Sequence, residues 1–498
     1  MQSWLEQISH QCAQQRTRQL VVISGDLGHR WQQLQPWITH ELAKAKNIAL
    51  IGTQETVLAL GCPSELSLLK ANKPNNLLGH EHDHVIFNAY DGLYPDAIAA
   101  VSGTIKAGGL LILLCPEFDE WPTFSDEFSK RRLPYGFEQT PASPRFVQLL
   151  INSFTKWQIP HYSNNSISGE PDCPALKGSP ADRDEATAKQ GGLTTEQQAV
   201  LDKILNGQNR VQVLTADRGR GKSYLLGYLA AQLHKTHYPP TSDNGITIYL
   251  TGPNKKAVSS VYTGFDSLTA GSEVKNQIHF VAPEDALSVK PLKNDWLIID
   301  EAASLPIPLL MKLAHHFKRI VFASTTHGYE GTGKGFQVRF FEYLNKHKPD
   351  WQQHQLTHPI RYSHNDPLEH WVFDTLMLDA EPETVSRAQW LNSKEDMTCR
   401  EVTQKELTKD SALLKNIFGL LINAHYQTKP SDLRDMLDGP GLRIFIQSLY
   451  DKQTDSEIIV SACLCTDEGP IEQALWQPIC QGHRRPTGHL IPSPLVSI

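Results

Sequence analysis

Thr215-Ala216-Asp217-Arg218-Gly219-Arg220-Gly221-Lys222-Ser223, between an apolar run at 211–214 and a helical pattern, is the stretch that decides the fold. It reads as a phosphate-binding loop. Such a loop needs glycines so that backbone N–H groups can turn inward around phosphate oxygens, a lysine that reaches the β and γ phosphates, and a hydroxyl for Mg2+. Gly219, Gly221, Lys222 and Ser223 supply these, while Arg220 lies between the two glycines. The strict spacing would place another glycine where Ala216 stands, so the Gly221-Lys222-Ser223 core carries the reading and the rest of the chain has to support it.

A phosphate loop predicts a carboxylate at the end of a second buried strand, holding Mg2+ through water, with a neighbour that polarises the attacking water. Trp296-Leu297-Ile298-Ile299-Asp300-Glu301-Ala302-Ala303 has that form, with Asp300 at the strand end and Glu301 next. Lys222, Asp300 and Glu301 are therefore the expected catalytic centre, and Ser223 with Asp300 the expected metal ligands. Thr251-Gly252-Pro253-Asn254 follows another strand, where helicase-like ATPases bring backbone groups to a nucleic-acid strand. In Ser324-Thr325-Thr326 the hydroxyls could bond Asp300 or Glu301. His327-Gly328-Tyr329-Glu330-Gly331-Thr332-Gly333-Lys334-Gly335-Phe336 is expected to be a flexible loop that stacks on bases or grips phosphate. Pro359-Ile360-Arg361-Tyr362 offers Arg361 as an arginine finger. Gln197 could read an adenine edge.

Working outward, residues 1–160 alternate apolar runs at 20–24, 48–52, 85–89 and 110–114 with helical patterns, an α/β layout with a parallel sheet. Asp83, His84 and Asp91 flank one strand end and read as solvated loop. Residues 161–192 turn polar and read as a linker. From Leu193, with Thr194 or Thr195 as the N-cap of the opening helix, apolar runs follow at 211–214, 246–250, 278–281, 296–299 and 320–323. That spacing predicts a P-loop helicase-like ATPase domain over 193–395. Helical segments at 413–425 and 431–438, then strands near Ile444 and at 458–464, mark the beginning of an α+β domain over 396–498.

Composition agrees with several soluble domains. At 498 residues the chain is too long for one, with 40% hydrophobic and 20% charged residues. No run of about 18 apolar residues could span a bilayer. The polar, Gln-rich start resembles neither a signal nor a transit peptide, so the expected location is cytoplasmic. The net charge of −7 argues against nucleic-acid binding over the whole surface and leaves room for a local basic groove. The eight cysteines are scattered and read as reduced thiols. Cys480 and His483 stand at a ligand spacing but lack a second pair.

The phosphate-loop, Ile-Asp-Glu-Ala-Ala-Ser-Leu-Pro, Ser-Thr-Thr-His-Gly-Tyr and Pro-Ile-Arg-Tyr segments together resemble the bacterial tRNA(Met) cytidine acetyltransferases. So do Ala424-His425-Tyr426-Gln427-Thr428-Lys429-Pro430-Ser431-Asp432-Leu433-Arg434 and Arg484-Arg485-Pro486-Thr487-Gly488-His489-Leu490. The resemblance covers essentially the whole chain. It implies an N-terminal α/β domain and an RNA-helicase-like ATPase module joined to a GNAT acetyltransferase domain and a tRNA-binding tail. The implied activity is ATP-dependent acetylation, from acetyl-CoA, of the wobble cytidine N4 of elongator tRNA(Met). The implied ATP-contacting positions are Gln197, Gly219, Arg220, Gly221, Lys222, Ser223, Tyr224, Leu225, Leu226, Gly227 and Arg361.

One part of that pattern departs from the family. A GNAT domain holds the acetyl-CoA pyrophosphate on a glycine-rich loop that opens a helix. No Arg-x-x-Gly-x-Gly type loop follows Ser431, and Gly439-Pro440-Gly441 cannot serve because proline lacks the N–H. The expectation is a chain that keeps the ATPase and lacks the acetyl-CoA loop and tRNA tail, its last residues 491–498 reading as a foreign or out-of-frame tail. The alternative is a stand-alone RNA-dependent ATPase.

Overall fold

The strand segments Gln19–Ser24 and Leu110–Cys115 are buried at every position, a pattern that requires cover on both faces of a sheet. Parallel strands joined by crossover helices give that cover. In the computed structural model, which describes residues 1–73, 81–133, 137, 143–164, 166–168, 192–236, 246–269, 278–328, 332–393, 397–424, 428–451, 455–466 and 471–484, two such sheets form. They belong to two compact units: residues 1–174, 366–422 and 429–498 make the first, residues 175–365 and 423–428 the second.

The first unit runs α1 (Gln2–Gln15), β1 (Gln19–Ser24), α2 (Leu27–Ala43), β2 (Ile48–Ile51), α3 (Gln54–Leu60), β3 (Ser67–Leu69), β4 (His84–Asn88), α4 (Pro95–Ser102), β5 (Leu110–Cys115), α5 (Glu127–Arg132), α6 (Arg145–Lys156), β6 (His161–Ser163) and β7 (Ser166–Ser168). Its sheet order is β3-β2-β4-β5-β1-β6-β7, parallel except for the β6–β7 hairpin. Trp4, Leu5 and Ile8 of α1 and Trp31, Leu34 and Trp37 of α2 close one core against Val21, Ile23 and Ile112. Residues 161–168, where the polar composition suggested a linker, thus extend the sheet. Asp83 and Asp91 serve turns: Asp83 accepts from Asn47 N (2.8 Å) and Asp91 from Thr53 N (2.7 Å).

The second unit contains α7 (Thr195–Asn206), β8 (Val211–Ala216), α8 (Lys222–Thr236), β9 (Ile248–Thr251), α9 (Ser259–Thr269), β10 (Ile278–Phe280), β11 (Trp296–Ile299), α10 (Ile307–His316), β12 (Arg319–Thr325), α11 (Thr332–His347) and β13 (Gln352–Leu356). All its strands are parallel, in the order β10-β9-β11-β12-β8-β13. Taken in chain order within each unit, this is the order of the first six strands of the other sheet. In both, the central first strand connects one way and the fifth strand the other, which opens a crevice at the carboxyl ends of those two neighbours. Gly227 of α8 and Gly264 of α9 let those helices cross closely: a Cβ on Gly227 would lie 2.1 Å from Val261 O.

After the second unit the chain returns to the first with α12 (Pro367–Thr375), α13 (Arg387–Ser393), β14 (Thr398–Val402), α14 (Gln404–Lys409), α15 (Ser411–Ala424), α16 (Pro430–Asp438), β15 (Leu442–Asp451), β16 (Ser456–Thr466) and α17 (Gln473–Cys480). β14, β15 and β16 form an antiparallel sheet, as an α+β region requires. Asp366 caps α12 by accepting from Glu369 N (2.8 Å) and clasps the buried Arg18, with Nη2–Oδ1 2.9 Å and Nε–Oδ2 3.2 Å. Ser431 donates to Asp96 from its N (2.8 Å) and its hydroxyl (3.0 Å). Arg434 donates to Leu93 O and Ser129 Oγ. The Ser-Asp-Leu-Arg part of the family-like segment therefore docks α16 onto α4 and α5. His425, Tyr426 and Gln427, and the segment from Arg485 onward, lie outside the described residues. The compact units also cut across the chain order of the sequence boundaries, since residues 366–393 fall in the first unit.

Candidate nucleotide-binding site

Asp217 to Gly221 connect β8 to α8, at the carboxyl edge of the sheet. Gly219 (φ 79°) and Gly221 (φ 71°) take the left-handed backbone region, which lets the loop curl back on itself. The space is also closed to a side chain. A Cβ on Gly221 would stand 2.3 Å from Ile360 Cδ1 and 2.5 Å from Gln197 Nε2, and one on Gly219 3.1 Å from Tyr362 Oη. Ile360 N donates to Gly219 O (2.9 Å). Arg220 Nη1 donates to Arg218 O (2.7 Å) and to Tyr362 Oη (3.2 Å), and its Nε to Thr357 O (3.3 Å). The Pro-Ile-Arg-Tyr segment is thereby strapped to the loop, with the Arg361 side chain exposed.

Lys222 opens α8, and its Nζ lies 3.0 Å from Asp300 Oδ1 and 2.9 Å from Glu301 Oε1. Burial pushes the ammonium's pKa down, but the two carboxylates outweigh it and hold the pKa above its usual value. Burial likewise pushes the Glu301 carboxyl up, and Lys222 with Arg218 pulls it below its usual range. Asp300 N donates to Thr251 O (3.0 Å), tying the end of β11 to β9. Glu301 has φ 51°, a strained conformation for a residue with a side chain, and strain of this kind clusters at functional sites. Thr325 Oγ1 donates to Glu301 Oε2 (3.2 Å), whereas the Ser324 hydroxyl donates to Thr325 O. Of the hydroxyls considered in the sequence, Thr325 makes the contact.

Asp300 is fully buried, and its Oδ2 has no hydrogen-bond partner among the described residues. An orphaned carboxylate oxygen, with the half-buried Ser223 following Lys222 in the loop, fits the oxygen donor set that Mg2+ prefers.

Gln197 is 1% exposed and completes a capping box: its N donates to Thr194 Oγ1 (3.2 Å) and its Oε1 accepts from Thr194 N (3.0 Å). Its Nε2 donates to Arg220 O and Gly221 O, both at 3.3 Å. The carboxamide thus fastens the start of α7 to the phosphate loop. Tyr224 packs at a tilt against Tyr228 with ring centroids 5.2 Å apart, Leu225 and Leu226 are fully buried in the core, and Gly227 sits at the α8–α9 crossing. The side chains of Tyr224, Leu225 and Leu226 therefore pack within the unit.

The glycine-rich stretch differs from expectation. Thr332 to Phe336 begin α11, and Phe336 is fully buried, its ring 5.1 Å from Phe340, so it is not available to stack on bases. Gly333 is needed because a Cβ there would meet Thr326 O at 2.3 Å. Tyr329, Glu330 and Gly331 lie outside the described residues. Two contacts went unread in the sequence. Tyr362 braces Arg220, and His327 donates from its N (3.1 Å) and Nδ1 (2.9 Å) to Asp217 Oδ1. The signal available for the second was only a histidine two residues past Thr325.

A parallel sheet with this strand order, a glycine loop leading into Lys222 and an acidic pair at the end of β11 define the fold class: a P-loop domain of the helicase-like kind. Residues 213–379 match the model of the RNA cytidine acetyltransferase NAT10/TcmA helicase domain, and residues 1–159 that of the tRNA(Met) cytidine acetyltransferase TmcA N-terminal region. The chain belongs to the tRNA(Met) cytidine acetyltransferase family. The relative of that name from Nitrosococcus halophilus is 34% identical over 97% of this chain and 65% of its own length. Those from Yersinia pestis (31%, 98% of this chain, 63% of its own) and Haemophilus influenzae (30%, 85% and 64%) are similar. The chain thus spans just under two thirds of the length of the relatives it matches. Among solved structures, the large terminase of bacteriophage D6E aligns at a TM-score of 0.27 and 9% identity over 58% of this chain and 74% of that one. Among the described residues no helix is long and apolar enough to cross a membrane.

Proposed function

We propose that this chain supplies the ATP-hydrolysing motor of a cytoplasmic tRNA(Met) cytidine acetyltransferase. The motor presents the wobble cytidine of elongator tRNA(Met) for N4 acetylation by acetyl-CoA. The observation that carries the reading is Lys222 held between Asp300 and Glu301 at the mouth of the phosphate loop, in a member of that family. Without nucleotide, the two carboxylates share the lysine. When a triphosphate enters, its oxygens compete for Lys222 and for the inward N–H groups of Gly219 to Ser223. Glu301, relieved of the lysine, is then free to orient the attacking water, with Thr325 keeping hold of its other oxygen. Ser223 and Asp300 would hold Mg2+, which offsets charge on the phosphates. Arg361, carried next to the loop by Ile360 and Tyr362, would stabilise the transferring phosphoryl group. A role for Gln197 at an adenine edge requires that it release part of its grip on the loop.

ATP hydrolysis suits the chemistry it would serve. The cytidine N4 lone pair is delocalised into the ring, so acyl transfer depends on exact placement against the thioester, and remodelling the anticodon loop supplies placement. The test is steady-state ATP hydrolysis, with and without elongator tRNA(Met), by the chain and by Lys222→Ala. Turnover is expected to vanish in the variant while circular dichroism shows that it still folds. Unchanged turnover would end the assignment.

A further inference from the structure

We propose that His327 is a positioning residue for ATP hydrolysis, holding the first turn of the phosphate loop in place through the Asp217 carboxylate. The proposal rests on the ATPase reading above and adds a residue that the reading does not use.

Asp217 follows β8 directly and stands in a loop built to hold a polyanion. A carboxylate there repels phosphate unless its charge is answered and its direction fixed. His327 fixes the direction, and His327 and Arg220 together answer the charge. The main-chain N–H and the Nδ1 of His327 converge on Asp217 Oδ1 at 3.1 and 2.9 Å, and both side chains are largely buried, 20% and 24% exposed. Burial pushes the Asp217 carboxyl up, yet the His327 hydrogen bond and the charges of His327 and Arg220 leave it below its usual range, so it remains ionised. For Nδ1 to donate, His327 carries its proton there, either as that neutral tautomer or as imidazolium.

The contact also sits where it can matter for geometry. The β8–β12 pairing runs to Thr325↔Ala216 and continues into the loop as Thr326 N donates to Ala216 O (3.1 Å). Thr325, two residues before His327, donates to Glu301 Oε2. Residues 325–327 therefore grip both the base of the phosphate loop and the carboxylate assigned to the water. Loosening His327 would leave ATP bound but let the phosphates shift against Glu301, and shifts of this kind cost rate more than affinity.

The experiment compares His327→Asn, His327→Gln, His327→Ala, Asp217→Ala and the His327→Ala/Asp217→Ala double variant in the full chain, by ATP hydrolysis and by fluorescent ATP-analogue binding. Asn places an N–H where Nδ1 stands, whereas Gln carries it one bond too far. Expected results are a kcat about 10-fold lower for Ala and Gln, analogue affinity within about 3-fold of wild type, and Asn within about 3-fold in kcat. The double variant should be no slower than the slower single one, as for two groups acting through one contact. Wild-type kcat in His327→Ala, or Asn as slow as Gln, would overturn the proposal. If Ala unfolds, the Asn and Gln pair decides alone. Hydrolysis surviving in Lys222→Ala would instead bring down the ATPase reading, and this proposal with it. Loss in Lys222→Ala beside a wild-type-like His327→Ala brings down this proposal only.

Discussion

The β1–α2 turn of the first unit and the β8–α8 turn of the second hold the same place in the same strand order, and they hold opposite chemistry. In the second unit, five residues, Asp217 to Gly221, separate strand from helix, and the helix opens with Lys222. In the first, only Gly25 and Asp26 intervene and the helix opens with Leu27. The short turn cannot wrap a phosphate. Its space is already filled: Arg30 donates from Nε to Ser24 O (2.5 Å), pairs with Glu117 at 3.3 Å, and leaves no room for a Cβ on Gly25, which would lie 2.5 Å from Nε. Asp26 caps the helix through His29 N and puts a negative charge where a phosphate would have to sit. β4 ends in Asn88, where the equivalent β11 leads into Asp300 and Glu301. Glu117 meanwhile accepts from the hydroxyls of Ser24 (2.7 Å) and Ser163 (2.9 Å), so the crevice of the first unit is knitted shut by its own side chains. Strand order makes a crevice; loop length and a few residues decide whether it receives a ligand.

The sharpest way to break this contrast is at the acidic end. Asp300→Asn is expected to lower ATP turnover by about 1,000-fold, because the carboxylate aimed at Mg2+ is lost, while Asn88→Asp in the first unit confers no ATP binding. Analogue titration of the Asn88→Asp protein in the Lys222→Ala background checks the second half. Next come the paired glycines. Gly221→Ala, which forces a left-handed residue into Ile360 and Gln197, should weaken analogue binding by about 10- to 100-fold. Gly25→Ala (φ 129°) should leave binding alone and destabilise the chain by about 1–3 kcal/mol in urea titration.

Smaller is Gly227→Ala. Its Cβ would press on Val261 O at the α8–α9 crossing, so the expected loss is about 1–3 kcal/mol of stability with nucleotide affinity nearly kept once folded. An equal loss of affinity would instead tie Gly227 to the nucleotide.

The smallest effect separates the units by pH. His354 in the second unit is pushed down to about 4 by burial, aided by the Lys203 charge, and is neutral in the fold. Its contribution is full above the usual histidine value of 6.5 and is lost as pH falls toward 4. Glu41 in the first unit is held at about 2, chiefly by its hydrogen bond with His84 and against burial. Its contribution is full above 4.5 and is lost as pH falls toward 2. The His84 tautomer agrees, since Nδ1 accepts from Leu110 N and leaves Nε2–H to face Glu41. Melting curves should lose part of their slope between pH 6.5 and 4 in His354→Gln, and keep it there in Glu41→Gln.

Buried apolar runs made most of both sheets legible: 211–214, 296–299 and 320–323 each fall within a strand. β13, Gln-Gln-His-Gln-Leu, escaped because it is an edge strand whose polar residues carry no apolar signature. The glycine-rich stretch misled for the opposite reason. Glycines usually mark loops, but Gly333 is there so that α11 can start against the end of β12. Lys222 could be read from the Gly-Lys-Ser core of the loop, and Asp300 and Glu301 because they follow the end of β11 directly. The contacts of Gln197, Asp217, His327 and Tyr362 could not, since their partners lie 23 to 142 residues away in the chain.

By itself the sequence determined that this chain folds into parallel-sheet domains with a phosphate loop and an acidic pair, and that its segments match one enzyme family. Those properties are local: periodicity, glycine placement and residues adjacent to strand ends. Only the tertiary structure decided that the first sheet repeats the strand order of the second with its crevice filled by Arg30 and Glu117. It also decided that Phe336 is core, that Ser431 and Arg434 are clasps, and that Lys222 rests between two carboxylates. These depend on which distant residues meet once apolar surface is buried and each buried polar group must find a partner, and chain order does not encode that directly.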